Sequence, residues 1–497
     1  MSRHTTIEIV EQNNAAVGTD TDGIRPSVPR DPPPHGDTVD RCFDQLNRLL
    51  QEVPRGFPAE PETSPCTIFW IPHLLRGIDS KAVKPEIVSI GPYHRGGPQV
   101  LAFERLKPLF LERFLRRCTK SDLRRLTQLV ASLERSARLC YSGLVDLASH
   151  DFLQMMLLDG CFVVEFLLHP LFGSGDAADK PGPIFGSGDV TNEPDPIFAQ
   201  PQMIPVLIRD LLKLENQIPY TVLEFLFDKV ISSNSNRETG SLTVLALKLF
   251  NHAYPRPMVD LKSREYHNCE HLLDLFYMSL SPTRPVYPNS LKESWSSAQS
   301  VPRVTELIYS GVKFKSKKAD GLLDINLHKP ILRNPFIPIK DFMTSSLMNP
   351  VIQMPNIAID DFMTTVLINC VSLEQCRENR SKYMTDYVSF MHCLIKRSTD
   401  VSLLRSDGII ALYSRDDRYV VDLFKKLGEN ISFNVHDCFL SKQFEELESC
   451  YRSNWAKMMR TYFSSPWSAI SLFSAFLIVV LTIIQTVIAI LAYRLHR

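Results

Sequence analysis

No charge of one sign prevails in this sequence: its 497 residues carry 55 Lys plus Arg and 55 Asp plus Glu, a formal net charge of zero. Nothing global points to nucleic acid, and any electrostatic role must be local. A secretory signal is lacking, since Met1 to Asn14 is polar and acidic with no apolar core. Cysteine pairs are lacking too: the 11 cysteines are an odd number with no C-x-x-C spacing. Several sit in apolar helical runs, such as Cys161 within Leu157 to Leu168, which reads as reduced thiols in a cytosolic core. The glycosylation sequons at Asn379 and Asn430 would then be silent. The phosphate loop, H-E-x-x-H, the G-x-S-x-G elbow and the kinase set are all missing. No cofactor, metal or nucleic-acid partner is expected.

One long apolar run is present. Residues 469–493 read AISLFSAFLIVVLTIIQTVIAILAY, with no charge and 15 Leu, Ile, Val or Phe. As a helix these residues reach roughly 37 Å, against about 30 Å of hydrocarbon. Their side chains favour insertion by on the order of −5 to −9 kcal/mol. Trp467 and Tyr493 mark the two interfaces, and a tail at 494–497 carries Arg494 and Arg497. A buried core helix of this length would need protein on every side. The reading is one transmembrane helix with the bulk of the chain cytosolic, a tail anchor in an unspecified membrane. Ser471, Ala475, Thr482, Gln485, Thr486 and Ala489 fall on one face of it, where small and weakly polar residues can pair two membrane helices into a homodimer.

The remainder has ordinary globular composition, 44% hydrophobic and 22% charged. Residues 1–38, rich in Asp, Gly, Pro and Thr, read as a disordered tail. Residues 39–463 read as a mostly helical domain. Helical spacing marks 39–52, 103–144, 151–168, 241–251, 270–279, 364–376, 382–396, 417–427 and 438–463. Between Glu104 and Arg138 stand ten Lys/Arg against four Asp/Glu, a solvated face or a basic one for acidic lipid. Residues 203–230 are also helical, with Pro219 imposing a kink or a break near Gln217. Ile68 to Pro72 is extended, and Pro and Gly keep 84–97 out of a helix. Strands are expected at 312–315 and 321–326, with a third starting at Ile331-Leu332. Residues 172–201 repeat FGSGD and PIF and read as a low-complexity surface loop. Residues 281–301 read as a linker, and DFMTSSLMN at 341 with DFMTTVLIN at 361 as a tandem duplication within 341–369. The fold class is therefore mainly α, a large multi-helix soluble domain with a small β element near 312–332 and one C-terminal transmembrane helix.

Nine ordered stretches resemble the plant family catalogued as domain of unknown function 247: IPHLLRG (71–77), KPEIVSIGPYHRG (84–96), LKPLFLERFL (106–115), MMLLDGCFVVEFLL (155–168), DLLKLENQIPYTVLEFLF (210–227), TELIYSGVKFK (305–315), LLDI (322–325), DFMTTVLINCVSLEQC (361–376) and DVSLLRSDGII (400–410). The resemblance implies a helical, membrane-attached plant protein with no assigned chemistry. Some grass members are linked to self-incompatibility as pollen-side candidates. The second DFMT copy and the 172–201 repeat depart from the family pattern, and such loops are where recognition can diverge.

Within these stretches, Gly91, Pro92, Tyr93, His94, Asp159, Gly160, Glu215, Asn216, Gln217 and Pro219 have no assigned role. Asp159, Glu165, Asp210, Glu215, Asn216 and Gln217 interrupt apolar helices, either as acid/base groups of a cleft or as a buried network that fixes packing. His94, on a constrained loop, either binds or caps backbone. His267, Cys269 and His271 lack the fourth ligand that zinc requires. These readings lead to a non-enzymatic interaction or signalling protein with an unidentified protein partner at a bilayer. The alternatives are a membrane-bound enzyme using buried carboxylates and His94, and a tether that dimerises through its span.

Overall fold

The computed structural model describes residues 43–44, 66–118, 123–169, 200–232, 240–257, 264, 266, 268–282, 302–318, 321–328, 350–377, 381–433, 438–462 and 466–495. Outside them lie the 1–38 tail, almost all of the 39–52 helix and of the 172–201 repeat, most of the 281–301 linker, Ile331-Leu332, the first DFMT copy and His267. The chain divides into two compact units, Met1–Glu62 and Thr63–Arg497. The second holds every buried residue described and all of the motif residues.

The first half of this unit is built of helices around one apolar rod. Short helices α1 (His73–Arg76), α2 (Ser80–Val83) and α3 (Leu101–Glu104) lead into α4 (Lys107–Arg117), α5 (Leu123–Ser132) and α6 (Glu134–Leu139). The expected helical region 103–144 is thus several helices. The rod is α7 (Ser149–Leu167), apolar on nearly all faces and so wrapped by its neighbours. Helix α4 lays Phe110 and Phe114 against it, and Phe103 and Phe110 meet Phe162 edge-on at 5.0 and 5.1 Å between ring centroids.

Helix α8 (Met203–Leu211) stops short of the residue before Pro219, and α9 (Tyr220–Ser232) starts directly after that proline. The intervening 212–219 is irregular, so the expected break is a complete one. Helix α9 packs on α7 at Gly160, where a Cβ would lie 2.4 Å from Leu226 Cδ1. Helices α10 (Leu242–Ala253) and α11 (Leu272–Leu280) pack on each other and complete this half.

After α12 (Val304–Tyr309) comes a small sheet. Strand β1 (Lys313–Lys317) runs parallel to β3 (Val351–Pro355), while β2 (Asn326–His328) runs antiparallel on β3's other side. The expected strand 321–326 is corrected. Residues 321–325 form a turn closed by Asp324 N–H to Gly321 O (3.3 Å), which buries Leu322, Leu323 and Ile325, and the strand begins only at Asn326. The central strand, β3, comes from a stretch whose alternation is masked by Pro350 and Pro355. Strand β4 (Ile357–Ala358) pairs with β5 (Ile410–Ala411).

The second DFMT copy forms the start of α13 (Asp361–Cys376), whose N-terminus is capped by Asp360 accepting from Met363 N–H at 2.8 Å. It packs against α2 and α14 (Tyr383–Leu394). Helix α15 (Ser398–Ser406) precedes β5, and α16 (Asp417–Glu429) packs on α14 and α15. The expected 438–463 helix is two, α17 (Ser441–Arg452) and α18 (Asn454–Tyr462), because Ser453 turns extended (ψ 150°) and caps the second with its hydroxyl. The final element, α19 (Pro466–Leu495), has 30 residues. Within it Phe473–Ala492 is long and apolar enough to cross a membrane, and none of that stretch is buried.

Candidate functional site

Residues 84–91 form an irregular segment, and among the described residues no strand pairs with it. Pro85 and Gly91 keep it out of a helix, yet Val88, Ser89, Ile90 and Gly91 are buried. Buried main-chain groups need partners, and here side chains supply them. Asp210, at the end of α8, accepts from Glu86 N–H (2.9 Å), Ile87 N–H (2.7 Å) and Val88 N–H (3.0 Å). Asn216 plays the part of a neighbouring strand, with its Oδ1 accepting from Ile90 N–H (2.7 Å) and its Nδ2 donating to Val88 O (3.0 Å). Asp159, on α7, accepts from Gly91 N–H at 2.8 Å.

Two buried lysines neutralise these carboxylates and satisfy carbonyls at the same time. Lys107 Nζ donates to Asp159 Oδ1 (2.5 Å) and Ser89 O (2.6 Å). Lys213 Nζ donates to Asp210 Oδ1 (2.8 Å) and Lys84 O (2.7 Å). Removing one partner of such a buried pair would strand a charge, at a cost of about 3–5 kcal/mol.

Gly91 has φ +78°, and a Cβ there would lie 2.4 Å from Gln217 O. Only glycine fits this approach. Gln217 Nε2 donates to the last carbonyls of the broken helix, Leu211 O (2.7 Å) and Lys213 O (2.9 Å), while its Oε1 accepts from Leu273 N–H at the start of α11. Pro219 leads directly into α9. Burial pushes the Tyr141 phenol well above its usual range, and it donates as a neutral group to Gln217 O (3.1 Å).

Glu215 faces the other way, toward the rim. Its Oε1 accepts from Ile71 N–H (2.9 Å) and from Arg76, and its Oε2 meets His94 Nε2 at 2.9 Å. The Glu215 side chain is fully enclosed, while His94 keeps 12% and Arg76 39% of theirs exposed. Trp70 stacks on Tyr93 at 3.9 Å, with the Arg76 guanidinium over it at 5.1 Å. Pro92 lies at the bend that brings Tyr93 and His94 to this rim.

The ten motif residues are therefore brought together around one segment. Asp159, Asn216, Gln217 and Gly91 build its inner side, Glu215, Pro92, Tyr93 and His94 its rim, while Pro219 sets the start of α9 and Gly160 the contact of α9 with α7. Both oxygens of Asp159, Asp210 and Glu215 are engaged by donors of the protein itself. An acid/base role would fall to His94, with Glu215 orienting the imidazole and Arg76 already balancing the carboxylate. Arg76, Lys107 and Lys213 belong to the same network, and the sequence marks them only by their position inside apolar runs. Arg117, at the other end of α4 from Lys107, reaches Glu165 of α7 at 2.9 Å.

A second polar cluster ties α11 to α13 and α14. Arg377 pairs with Asp274 (2.5 Å) and Glu270. His271 Nδ1 accepts from Asp274 N–H (3.1 Å) and its Nε2 meets Thr67 O (3.1 Å), so His271 caps a helix. Cys269 Sγ contacts Tyr266 O and Met278 Sδ. Among the described residues no group of three His, Cys, Asp or Glu is placed to hold a metal. On α19, Ser471, Ala475, Thr482, Gln485, Thr486 and Ala489 are all exposed, and the Thr482 and Thr486 hydroxyls donate to Ile478 O (2.8 Å) and Thr482 O (2.7 Å) of their own helix.

The model of the family DUF247, described as a plant protein of unknown function, matches residues 68–481. This chain belongs to that family. The Arabidopsis thaliana UPF0481 protein At3g47200 is 29% identical over 457 residues, covering 86% of this chain and 87% of its own length. The Arabidopsis thaliana putative UPF0481 protein At3g02645 is 24% identical over 255 residues, covering 49% of this chain and 44% of its own. No solved structure matches. The family match takes in every motif residue of the clasp around 84–91 and ends inside the apolar helix.

Proposed function

We propose that this DUF247 member is a membrane-tethered, non-enzymatic interaction component, anchored by α19 with its helical domain in the cytosol. The observation that carries this reading is the pairing of two opposite features. Among the described residues the apolar side chains of Phe473–Ala492 are uncovered, while Asp159, Asp210 and Glu215 have both oxygens engaged by donors of the protein itself. Such saturation favours a structural role for the motif residues. It directs recognition to surfaces and to variable loops such as 172–201. The test is proximity labelling in plant cells with the full chain, with 469–493 removed, and with 172–201 removed. Labelling of a defined set of membrane-associated proteins, lost with 469–493 and altered by loss of 172–201, supports the reading; a set that ignores both deletions contradicts it. For a grass protein, the finer role in self-incompatibility predicts that loss from pollen alters self-rejection, and unchanged self-rejection excludes it.

The 2.9 Å contact between His94 and Glu215 at a partly exposed rim favours a second reading, an enzyme with His94 as its base. A turnover assay abolished by His94→Gln with the fold intact would establish it. A dimerising tether is the third, favoured by the fully exposed face of Ser471 to Ala489, and cysteine cross-linking at Ala475 and Ala489 tests it.

A further inference from the structure

Two stretches of the chain carry cations and no carboxylate. Residues 313–318 read KFKSKK. After Glu448 the sequence has no Asp or Glu up to Arg497, while Arg452, Lys457 and Arg460 precede the apolar run.

The fold brings these stretches together on α12. That helix packs against both β1 and α18, and α18 packs in turn against α19. Arg460, on α18, fixes the junction across 150 residues of sequence. Its Nη1 donates to Ser310 Oγ (2.7 Å), just past the end of α12, and to Tyr451 O (2.9 Å), and its guanidinium lies over the Tyr451 ring at 4.0 Å. Strand β1 starts at Lys313, soon after Ser310. The chain from Arg460 to Pro466 is at most about 22 Å long. The start of β1 is therefore held at the end of the domain from which α19 leaves.

The charges at this end divide into two groups. Arg460 is tied to the junction, Lys317 is paired with Asp324 at 2.5 Å and Arg452 with Glu448 at 2.6 Å. Lys315 and Lys318 are exposed, and so is Tyr309 at the end of α12. Of the carboxylates nearby, Glu306 is engaged by Arg303 at 3.2 Å, and Asp407 lies across a groove from β1. Glu445, Glu446 and Glu448 stand on α17, which packs against β2, at the opposite edge of the sheet from β1. Lysines beside an exposed tyrosine suit a surface of anionic headgroups, which attracts the ammonium groups and accommodates the phenol at its apolar boundary. A domain already anchored in a bilayer meets its headgroups at high effective concentration, so a weak attraction suffices to orient it.

We propose that Lys315 and Lys318 dock on acidic phospholipid headgroups of the bilayer that holds α19, and so set the orientation of the domain on that bilayer. This rests on the tether reading above and names the lipid class that the tethered domain takes.

The experiment uses the full chain in nanodiscs of phosphatidylcholine alone and of phosphatidylcholine mixed with phosphatidylserine. Acetylation of each lysine by a water-soluble reagent is read by mass spectrometry. Lys315 and Lys318 should react more slowly in the phosphatidylserine discs, and high salt should abolish the difference. Lys81, exposed on α2, should react alike in both. Lys315→Glu should lower the protection of Lys318 about fivefold and leave the unfolding midpoint unchanged. Equal rates at Lys315 and Lys318 in the two discs, with the chain incorporated in both, overturn the proposal and leave the tether reading standing. Equal slowing at Lys81 also overturns it, since it would mean general shielding by anionic lipid. So does slowing in phosphatidylcholine discs on addition of soluble glycerophosphoserine, which would assign the lysines to a free anion. If the chain enters neither disc, the tether reading fails and this proposal with it.

Discussion

The clasp around 84–91 and the helix at Pro466–Leu495 handle the same physical problem in opposite ways. In the clasp, the amides of Glu86, Ile87, Val88, Ile90 and Gly91 and the carbonyls of Lys84, Val88 and Ser89 are taken out of water and met by side chains from elsewhere in the chain, while the buried Ser89 hydroxyl has no hydrogen-bond partner among the described residues. In the terminal helix, main-chain groups are satisfied internally, but the side chains are apolar and uncovered. That element is long and apolar enough to cross a membrane. The contrast separates what builds this protein from what connects it. On the proposed function, the motif residues do the first and the terminal helix the second.

The sharpest way to break this contrast is to leave the clasp incomplete. Asp210→Ala removes the acceptor for three main-chain donors and leaves the buried Lys213 charge only a 3.6 Å pair with Glu86, so it should cost about 3–5 kcal/mol. Urea unfolding of the full chain in nanodiscs measures it. A loss within about 0.5 kcal/mol would show that the network is dispensable for the fold and so available for chemistry.

The next effect sharpens the comparison through pH. Glu374 is buried between α13 and α14, and burial pushes its carboxyl up to about 7 despite bonds from Tyr277, Met384 and Thr385. Tyr277 Oη has one proton yet lies 2.6 Å from Glu374 Oε1 and 2.9 Å from Ser381 O. The single Tyr277 proton is therefore shared between the Glu374 carboxyl and the Ser381 carbonyl. A pKa raised on folding means that the native state holds the proton more tightly. The contribution to stability is therefore fully present below the ordinary carboxyl range. It declines as pH rises through about 7. The change is on the order of 3 kcal/mol. Unfolding midpoints between pH 5 and 8 should fall with rising pH, and Glu374→Gln should remove that part of the slope.

Gly91→Ala should cost about 1–3 kcal/mol, since the left-handed backbone and Gln217 O both oppose a side chain. The smallest effect belongs to the rim. His94→Gln keeps a donor near Glu215 and should change stability by less than about 1 kcal/mol. A large change would place His94 with the clasp rather than at its border.

Much of this is legible in the sequence. The apolar rod α7 and the terminal helix announce themselves by length and pattern, because both are apolar on nearly every face. Pro219 forecasts a break, since it has no amide proton to offer a helix. The motif residues can be named but not connected. Asp210 and Glu86 lie 124 residues apart, and Asp159 and Gly91 68 apart, so their bonds have no local signature. The lysines of the clasp are harder still, because Lys107 and Lys213 look like ordinary charged positions beside apolar residues until their burial is known. Strand β2 begins later than its composition suggests for the same kind of reason. In GLLDIN the apolar residues fill a turn that packs inward, and turn and strand share composition when both are buried.

The separation of roles depends on the terminal helix being covered by lipid rather than by protein. Alkaline carbonate extraction of plant microsomes, comparing the full chain with one ending at Ser468, tests this directly. The full chain should stay in the pellet while the shortened chain is released to the supernatant. Retention of the shortened chain as firmly as the full one would contradict the central claim.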